Sequence, residues 1–149
     1  MAIDREAALA LELAAHDVDV ERGALRFFAL ATGERRPEYV DVAAARAAGH
    51  PDLPVPPTYY FSLELQAPEP FAFLDALGVD LTTILHGEQA FEYHGMAHAG
   101  DRLTLTPRIV DVTSKKGGAM ELVTKQTTVT DAHGDVRARL GSVLVVRNR

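Results

Sequence analysis

Few side chains in this sequence are suited to chemistry, and the densest group of them lies in the segment ATGERRPEYVD, Ala31–Asp41. This segment contains a carboxylate at Glu34, a guanidinium group at Arg36 and a phenol at Tyr39. A carboxylate can exchange protons in general acid–base catalysis, whereas a phenol with a pKa near ~10 is a poor base at neutral pH. The segment therefore offers a carboxylate but no imidazole to work beside it.

The histidines are the other candidates, because the sequence has no cysteine and so no thiolate nucleophile or cysteine-based metal site. His86 and His94 fall on the predicted polar face of a strand, together with Glu88 and Glu92. Alternate residues on one strand are a weak signal for metal ligands, so we expect no metal here. A histidine without a placed partner is more often structural, but His86 is kept as a further catalytic candidate.

Composition narrows the function classes. The chain has 149 residues, of which 47% are hydrophobic and 24% charged, values typical of one globular domain. Residues 1–100 carry 16 acidic and 6 basic side chains, whereas residues 101–149 carry 5 and 9. An acidic chain without a basic cluster argues against nucleic-acid binding, although the basic second part could meet a small anionic ligand.

Neither the first residues nor any apolar run indicates a membrane or export signal. Met1–Ala15 contains Asp4, Arg5 and Glu6, where a signal peptide would have a basic region and an apolar core. No apolar run approaches the roughly 20 residues of a membrane span. We therefore expect a soluble cytoplasmic protein without membrane contact.

The first half of the chain is predicted to be mainly helical. One segment, Thr58–Gln66, is apolar nearly all round, which indicates a helix buried on most sides. His16–Glu21 is predicted to be a short strand, and the segment after it a helix that ends at Gly33. Asp41–Gly49 is predicted to be a short helix with Asp41 as its N-cap, and Glu69–Gly78 a further helical turn or two.

After Gly78 the hydrophobic period changes to two, which predicts at least four long antiparallel strands joined by turns rich in glycine. In the strand LHGEQAFEYH, the alternation sets Leu85, Gln89, Phe91 and Tyr93 opposite the polar face named above. The economical packing is an α+β fold, in which an antiparallel sheet wraps around the central apolar helix, as a single domain over residues 1–149.

The sequence resembles the MaoC-like dehydratase and hydratase family, and in particular its N-terminal-half branch. The resemblance lies in the segments VERGALRFFALATGE, YVDVAAARAAGH, VPPTYYF, ILHGEQAFEYHGMAHAGDRLT and GDVRARLGSVLVVR, which occur in the family's order. It implies the hot-dog fold, and a substrate that is a thioester of coenzyme A or acyl carrier protein. Water is added or removed across its carbon 2–3 double bond without a cofactor, and the proteins work as dimers or double hot-dogs.

The family's catalytic segment, Gly-Asp-x-Asn-Pro-x-His, is altered here to GERRPEY, Gly33–Tyr39. By resemblance, Glu34 and Tyr39 stand at the two acid–base positions, and Arg36, which replaces the asparagine, is a candidate for substrate binding. A carboxylate one methylene longer and a phenol leave the motif degenerate, because ~1 Å of misplacement can cost about a hundredfold in rate.

The resemblance also places substrate-binding groups at the start of the buried helix, whose N-terminal amides would polarise the thioester carbonyl. Prolines precede Thr58, so the amides of Thr58 and Tyr59 are the expected donors. Tyr59, Tyr60 and Phe61 are candidates for the lining of an acyl tunnel, although for at least two of the three we favour a place in the core.

Three hypotheses follow. The chain could be a subunit of an (R)-type enoyl-thioester hydratase or 3-hydroxyacyl-thioester dehydratase that shapes the acyl site while a second hot-dog chain supplies aspartate and histidine. It could be a self-sufficient hydratase or a thioesterase that uses Glu34 and another histidine. It could instead be a non-enzymatic subunit that binds acyl-coenzyme A or serves assembly. In each case we expect a homodimer or a heterodimer.

Overall fold

The structure, a computed structural model, describes residues 2–148. Two residues lie outside the described residues. They are Met1, the first residue of Met1–Ala15, and Arg149, the last residue of the predicted domain 1–149. The five helices are α1 (Arg5–Ala10), α2 (Arg22–Ala31), α3 (Val42–Ala47), α4 (Tyr59–Glu64) and α5 (Ala72–Ala76). The five strands are β1 (His16–Asp19), β2 (Ile84–Tyr93), β3 (Arg102–Lys115), β4 (Met120–Asp131) and β5 (Val136–Arg147).

The strands form one antiparallel sheet in the order β1-β3-β4-β5-β2, so β1 and β2 are its two edges. Consecutive long strands β3, β4 and β5 pair directly, whereas β2 crosses over to the far side of β5. Short 3-10 helices at Pro37–Tyr39, Leu81–Thr83 and Lys116–Gly118 connect the elements. The predicted α+β class with an antiparallel sheet is confirmed.

Helix α4 is the central helix predicted over Thr58–Gln66, although it is shorter than predicted because its regular part ends at Glu64. Tyr59, Tyr60 and Leu63 are buried in the same apolar cluster as residues from β3, β4 and β5. This packing of the helix against the inner face of the curved sheet is what defines the hot-dog arrangement. The residues that flank the helix, Thr58, Leu65 and Gln66, are exposed.

The prediction for the faces of β2 is wrong at Leu85 and His86, because a β-bulge at Gly87 interrupts the alternation. His86 pairs with Leu144 and Glu88 pairs with Val143, so the register shifts between them. A bulge exchanges the faces on which later side chains lie. His86 therefore lies on the inner face, against the Phe61 ring at 5.1 Å between centroids, and does not share a face with Glu88.

Glu88 and Glu92, which were predicted to share a face with His86, lie on the outer face of the sheet. Glu92 there contacts His94 at 2.8 Å and Arg139 at 3.4 Å. Leu85 also lies on the outer face and is exposed, whereas Phe91 packs against the core. The glycine is suited to the bulge because a Cβ atom there would lie 2.9 Å from Val145 Cγ2.

The core of the sheet consists of two apolar clusters with polar side chains between them. The first cluster surrounds α4, and the second lies under α1 and α5 against the other half of the strands. On the inner face of β4, Val129 belongs to the first cluster and Val123 to the second, with Thr127 and Lys125 between them. Lys125 stands opposite Ser142, which stands opposite Gln89, so a polar row crosses three strands.

No helix within residues 2–148 has the length and the apolar composition that crossing a membrane requires.

Candidate functional site

The altered motif begins where α2 ends at a left-handed glycine. Gly33 has a φ of 76°, and the Glu34 amide donates a 2.9 Å hydrogen bond back to the Ala29 carbonyl. This glycine-terminated cap is a common way to end a helix, and it was predicted from the sequence. The chain then turns through the 3-10 helix Pro37–Tyr39, which brings Tyr39 into the core with 7% of its surface exposed.

Glu34 is held by four hydrogen bonds from its own segment. Its Oε1 accepts from the amides of Arg35 and Arg36 at 2.9 and 3.0 Å and from Arg36 Nε at 3.1 Å. Its Oε2 accepts from Arg36 Nη2 at 2.8 Å. These bonds, above all those from the Arg36 side chain, lower the pKa of Glu34 to about 2. A carboxylate with so low a pKa is a weak proton acceptor at neutral pH.

Arg36 also covers Tyr39, because its guanidinium carbon lies 4.7 Å from the centre of the phenol ring. Glu34, Arg36 and Tyr39 therefore form one connected unit in which the arginine contacts both other side chains. By resemblance, Glu34 and Tyr39 stand at the acid–base positions. In the structure, the guanidinium group of Arg36 contacts both of these side chains. A water held there would face two groups that the arginine already binds.

Tyr39 opens onto a small cavity of about 300 Å³ near the start of α4. Tyr60 and Tyr93 line the same cavity, and their ring centroids are 6.2 Å apart. Burial raises the pKa of Tyr60 to about 12. The Tyr93 hydroxyl donates a 2.8 Å hydrogen bond to the Pro57 carbonyl at the helix start. This cavity is lined by neutral phenols and apolar side chains, a surface suited to an uncharged organic group.

The helix start offers fewer donors than the sequence predicted. The Tyr59 amide is already bonded to the Pro56 carbonyl at 2.9 Å, so it is not free for a substrate. Of the two predicted donors, only the Thr58 amide makes no hydrogen bond within residues 2–148. The Tyr59 ring packs edge-on against Phe28 in the core, whereas Tyr60 and Phe61 each line a cavity.

His86 does not join this site, because it lines a different cavity at the other end of α4. Its Nε2 lies 3.0 Å from the Glu88 carbonyl, which fixes the ring on the bulge. Within residues 2–148, no three histidine, aspartate or glutamate side chains come together in a way that could hold a metal ion.

A buried ion pair at the C-terminal end of α4 escaped the sequence analysis. Glu64 is 4% exposed, and its Oε1 lies 2.8 Å from Lys125 Nζ and accepts a short hydrogen bond from the Thr127 hydroxyl. A signal was available in the sequence, because a glutamate interrupts an apolar helix and a lysine falls on the apolar face of β4.

Comparison with known proteins gives the chain a family context. Residues 7–139 match the family described as "FAS1-like, dehydratase domain region". A "UPF0336 protein" of Streptomyces griseus is 39% identical over 127 residues, which cover 85% of this chain and 79% of that protein.

Two solved structures have the same fold. The "HadBC (3R-Hydroxyacyl-ACP Dehydratase) complex" of Mycobacterium tuberculosis contains a chain that matches with a TM-score of 0.77 and 24% identity, over 87% of this chain and 90% of that one. A structure described as "MaoC-like dehydratase" matches with a TM-score of 0.76 and 25% identity, over 90% of this chain and 41% of that one.

Proposed function

Because this chain belongs to the FAS1-like dehydratase family of MaoC-like hot-dog domains, we propose that it is a subunit of an (R)-type enoyl-thioester hydratase or 3-hydroxyacyl-thioester dehydratase. In this proposal the chain forms part of the acyl-binding site, and a second hot-dog chain supplies the carboxylate and imidazole that move the protons. The substrate is an acyl thioester of coenzyme A or of acyl carrier protein.

The observation that carries the proposal is the pairing of Glu34 with Arg36. Hydration needs a group that removes a proton from water and a group that delivers one to carbon 2. Glu34 has a pKa of about 2 and its oxygens are occupied by Arg36, while Tyr39 has no basic nitrogen. The segment is therefore better suited to binding than to proton transfer, which favours a partner that performs the acid–base step.

The cavity beside Tyr39, Tyr60 and Tyr93 supports a binding role for this chain. The walls of this cavity carry no charged side chain. Of the two amides predicted to donate to a carbonyl oxygen, that of Thr58 at the helix start is still available. We propose that this cavity receives the acyl part next to the thioester.

The sheet edge at β2 supports association with a second chain. Within residues 2–148, only one side of β2 is paired, with β5, over nine of its ten residues. A long exposed edge strand is normally covered or paired. Leu85, Tyr93 and Met96 are exposed on or next to this strand, as an interface would require. The HadBC structure, named as a complex, offers a precedent for a chain of this fold beside another chain.

The decisive experiment measures hydration of crotonyl-coenzyme A by the purified chain alone and after co-expression with a hot-dog protein that carries an intact Gly-Asp-x-Asn-Pro-x-His segment. We expect little or no activity from the chain alone and turnover from the complex, since a positioned acid–base group typically contributes about 10²–10⁴ in rate. Equal turnover with and without the partner would contradict the proposal.

Substitutions separate the alternatives. If the chain were a self-sufficient hydratase based on Glu34, Glu34→Gln would abolish activity of the chain alone, whereas the matched change Glu38→Gln in the same turn would not. If the chain only binds thioesters, calorimetry would detect binding of butyryl-coenzyme A, but no complex would gain turnover. If the chain is the proposed subunit, Tyr60→Ala in this chain should raise the KM of the active complex.

A further inference from the structure

We propose that the C-terminal end of α4 holds a second ligand site, which binds the hydroxyl group of an apolar alcohol between Glu64 and His16. This site lies at the opposite end of the helix from the tyrosine-lined cavity. Two buried polar atoms that lack partners mark this site, together with the cavity that both of their residues line.

Two buried side-chain atoms within residues 2–148 have no hydrogen-bond partner, namely His16 Nδ1 and Glu64 Oε2. Buried polar atoms are nearly always paired, because an unpaired one keeps the cost of losing its water. Both residues line the same cavity of about 460 Å³, a volume in the range of small-molecule sites. Each residue thus carries an acceptor without a partner beside the same cavity, which points to a ligand that brings a hydrogen-bond donor.

The chemistry of the two atoms defines the ligand as a hydrogen-bond donor. His16 Nε2 lies 3.1 Å from the Leu63 carbonyl, and a carbonyl can only accept, so Nε2 carries the hydrogen. In a neutral ring Nδ1 is then an acceptor. Glu64 Oε2 is also an acceptor, because Lys125 and Thr127 engage the other oxygen of that carboxylate. A hydroxyl group has one hydrogen, and the charged oxygen of Glu64 is the stronger of the two acceptors, whereas an ether or an ester has no hydrogen to donate.

The rest of the cavity favours an apolar body on the ligand. Most of its wall consists of alanine, leucine, proline and phenylalanine, including Leu11, Pro68 and Phe73. Lys125 is held by Glu64 at 2.8 Å and lies 5.1 Å from the centre of the Phe73 ring, so its charge is already compensated. A carboxylate ligand would meet the Glu64 oxygen and be repelled, whereas an alcohol brings a donor without bringing a charge.

A second cavity of about 230 Å³ adjoins the first, since Glu64, Pro70, Phe73 and Lys125 line both. The hydroxyl can therefore belong to a free alcohol that enters from the surface, or to the far end of an acyl chain whose thioester lies elsewhere. Both sources present the same donor on an apolar body, and binding measurements can tell them apart.

The test is calorimetric titration of the full chain, in mildly alkaline buffer, with 1-octanol, with a methyl ether of equal length and with octanoate. A hydrogen bond to a charged group contributes about 1.5–3 kcal/mol, so octanol should bind at least about tenfold more tightly than the ether. Octanoate should bind more weakly still. Equal binding of alcohol and ether, or no binding of either, would overturn the proposal.

Variants locate the preference at Glu64. Glu64→Gln presents an amide donor in place of Oε2, so the preference for alcohol over ether should collapse. Glu69→Gln is the matched control, because this exposed carboxylate lines the same cavity and should leave the preference intact. The double change Glu64→Leu with Lys125→Met removes both charges together, which keeps the variant foldable, and it should bind both compounds equally. An alcohol preference that survives in these Glu64 variants would refute the site.

The source of the alcohol is decided by comparing octanoyl-coenzyme A with its ω-hydroxy analogue. A tethered hydroxyl predicts tighter binding of the ω-hydroxy compound, lost in Glu64→Gln, together with competition against free octanol. A free alcohol predicts that octanol binds equally well with either thioester present. If the thioesters fail to bind while octanol binds, the proposed acyl function fails and the alcohol site stands.

Discussion

The buried pair of Glu64 and Lys125 gives a prediction about stability whose size follows from its surroundings. The two side chains are 5% and 12% exposed, and the Nζ–Oε1 distance is 2.8 Å. Removing one member of such a pair leaves the other charge buried without compensation, at a cost of about 3–5 kcal/mol. Because cavities adjoin the pair and allow some rehydration, we expect Lys125→Met to lower the free energy of unfolding by about 3 kcal/mol, the low end of that range.

Urea denaturation followed by circular dichroism measures this loss, with the slope m compared between variants to confirm that the unfolded reference is unchanged. The double variant Glu64→Leu/Lys125→Met should recover most of the loss, because apolar residues replace both charges. Arg5→Gln is the matched control, since Arg5 and Asp111 are 61% and 45% exposed and such a surface pair contributes little to stability. A Lys125→Met loss no larger than that of Arg5→Gln would refute the reasoning.

Three further outcomes are expected. Gly87→Ala should destabilise the protein by about 1–3 kcal/mol in the same assay, because the new Cβ would lie 2.9 Å from Val145 Cγ2 and 3.1 Å from the Val143 carbonyl oxygen. Gly141→Ala is the control and should be nearly neutral, since its Cβ would lie 3.6 Å from Ala90. Hydrogen bonds from Arg22 lower the pKa of Asp52 to about 2, so its contribution is present above the unfolded pKa of about 4 and is lost as pH falls toward 2; Asp52→Asn should flatten that part of a stability–pH profile. Restoring the family segment with Glu34→Asp, Arg36→Asn and Tyr39→His should raise crotonyl-coenzyme A hydration by the chain alone, and no gain in rate would show that more than these side chains is missing.

The sequence predicted the elements that have strong local signals. Asp41 caps α3 through a 2.7 Å hydrogen bond from the Ala44 amide, as predicted, and the glycines at positions 33 and 49 end their helices. The central helix was recognisable because a segment that is apolar nearly all round must be buried. Such features depend on residues close together in the chain, which is why one sequence is enough to find them.

The errors arose where the structure depends on contacts between distant residues. A two-residue period assumes an unbroken strand, so the bulge at Gly87 reversed the predicted face of His86. A glycine inside a strand pattern was a usable warning of this. The pairing of Glu64 with Lys125 joins residues 61 positions apart in the sequence, and the Arg36 contacts of Glu34 depend on how one turn folds. Residue types alone do not determine either arrangement.

The polar row of Lys125, Ser142 and Gln89 divides the interior of the sheet, and this division affects how the protein can open. The second cluster is covered by α1 and α5, most of whose residues are exposed, whereas the first surrounds α4, none of whose residues is exposed. Since polar groups at the boundary can accept water more readily than apolar ones, one half can separate without exposing the other. Amide hydrogens of α5 should therefore exchange with solvent well before those of β4 beside Val129, and a ligand can reach Glu64 during openings that leave the first cluster intact.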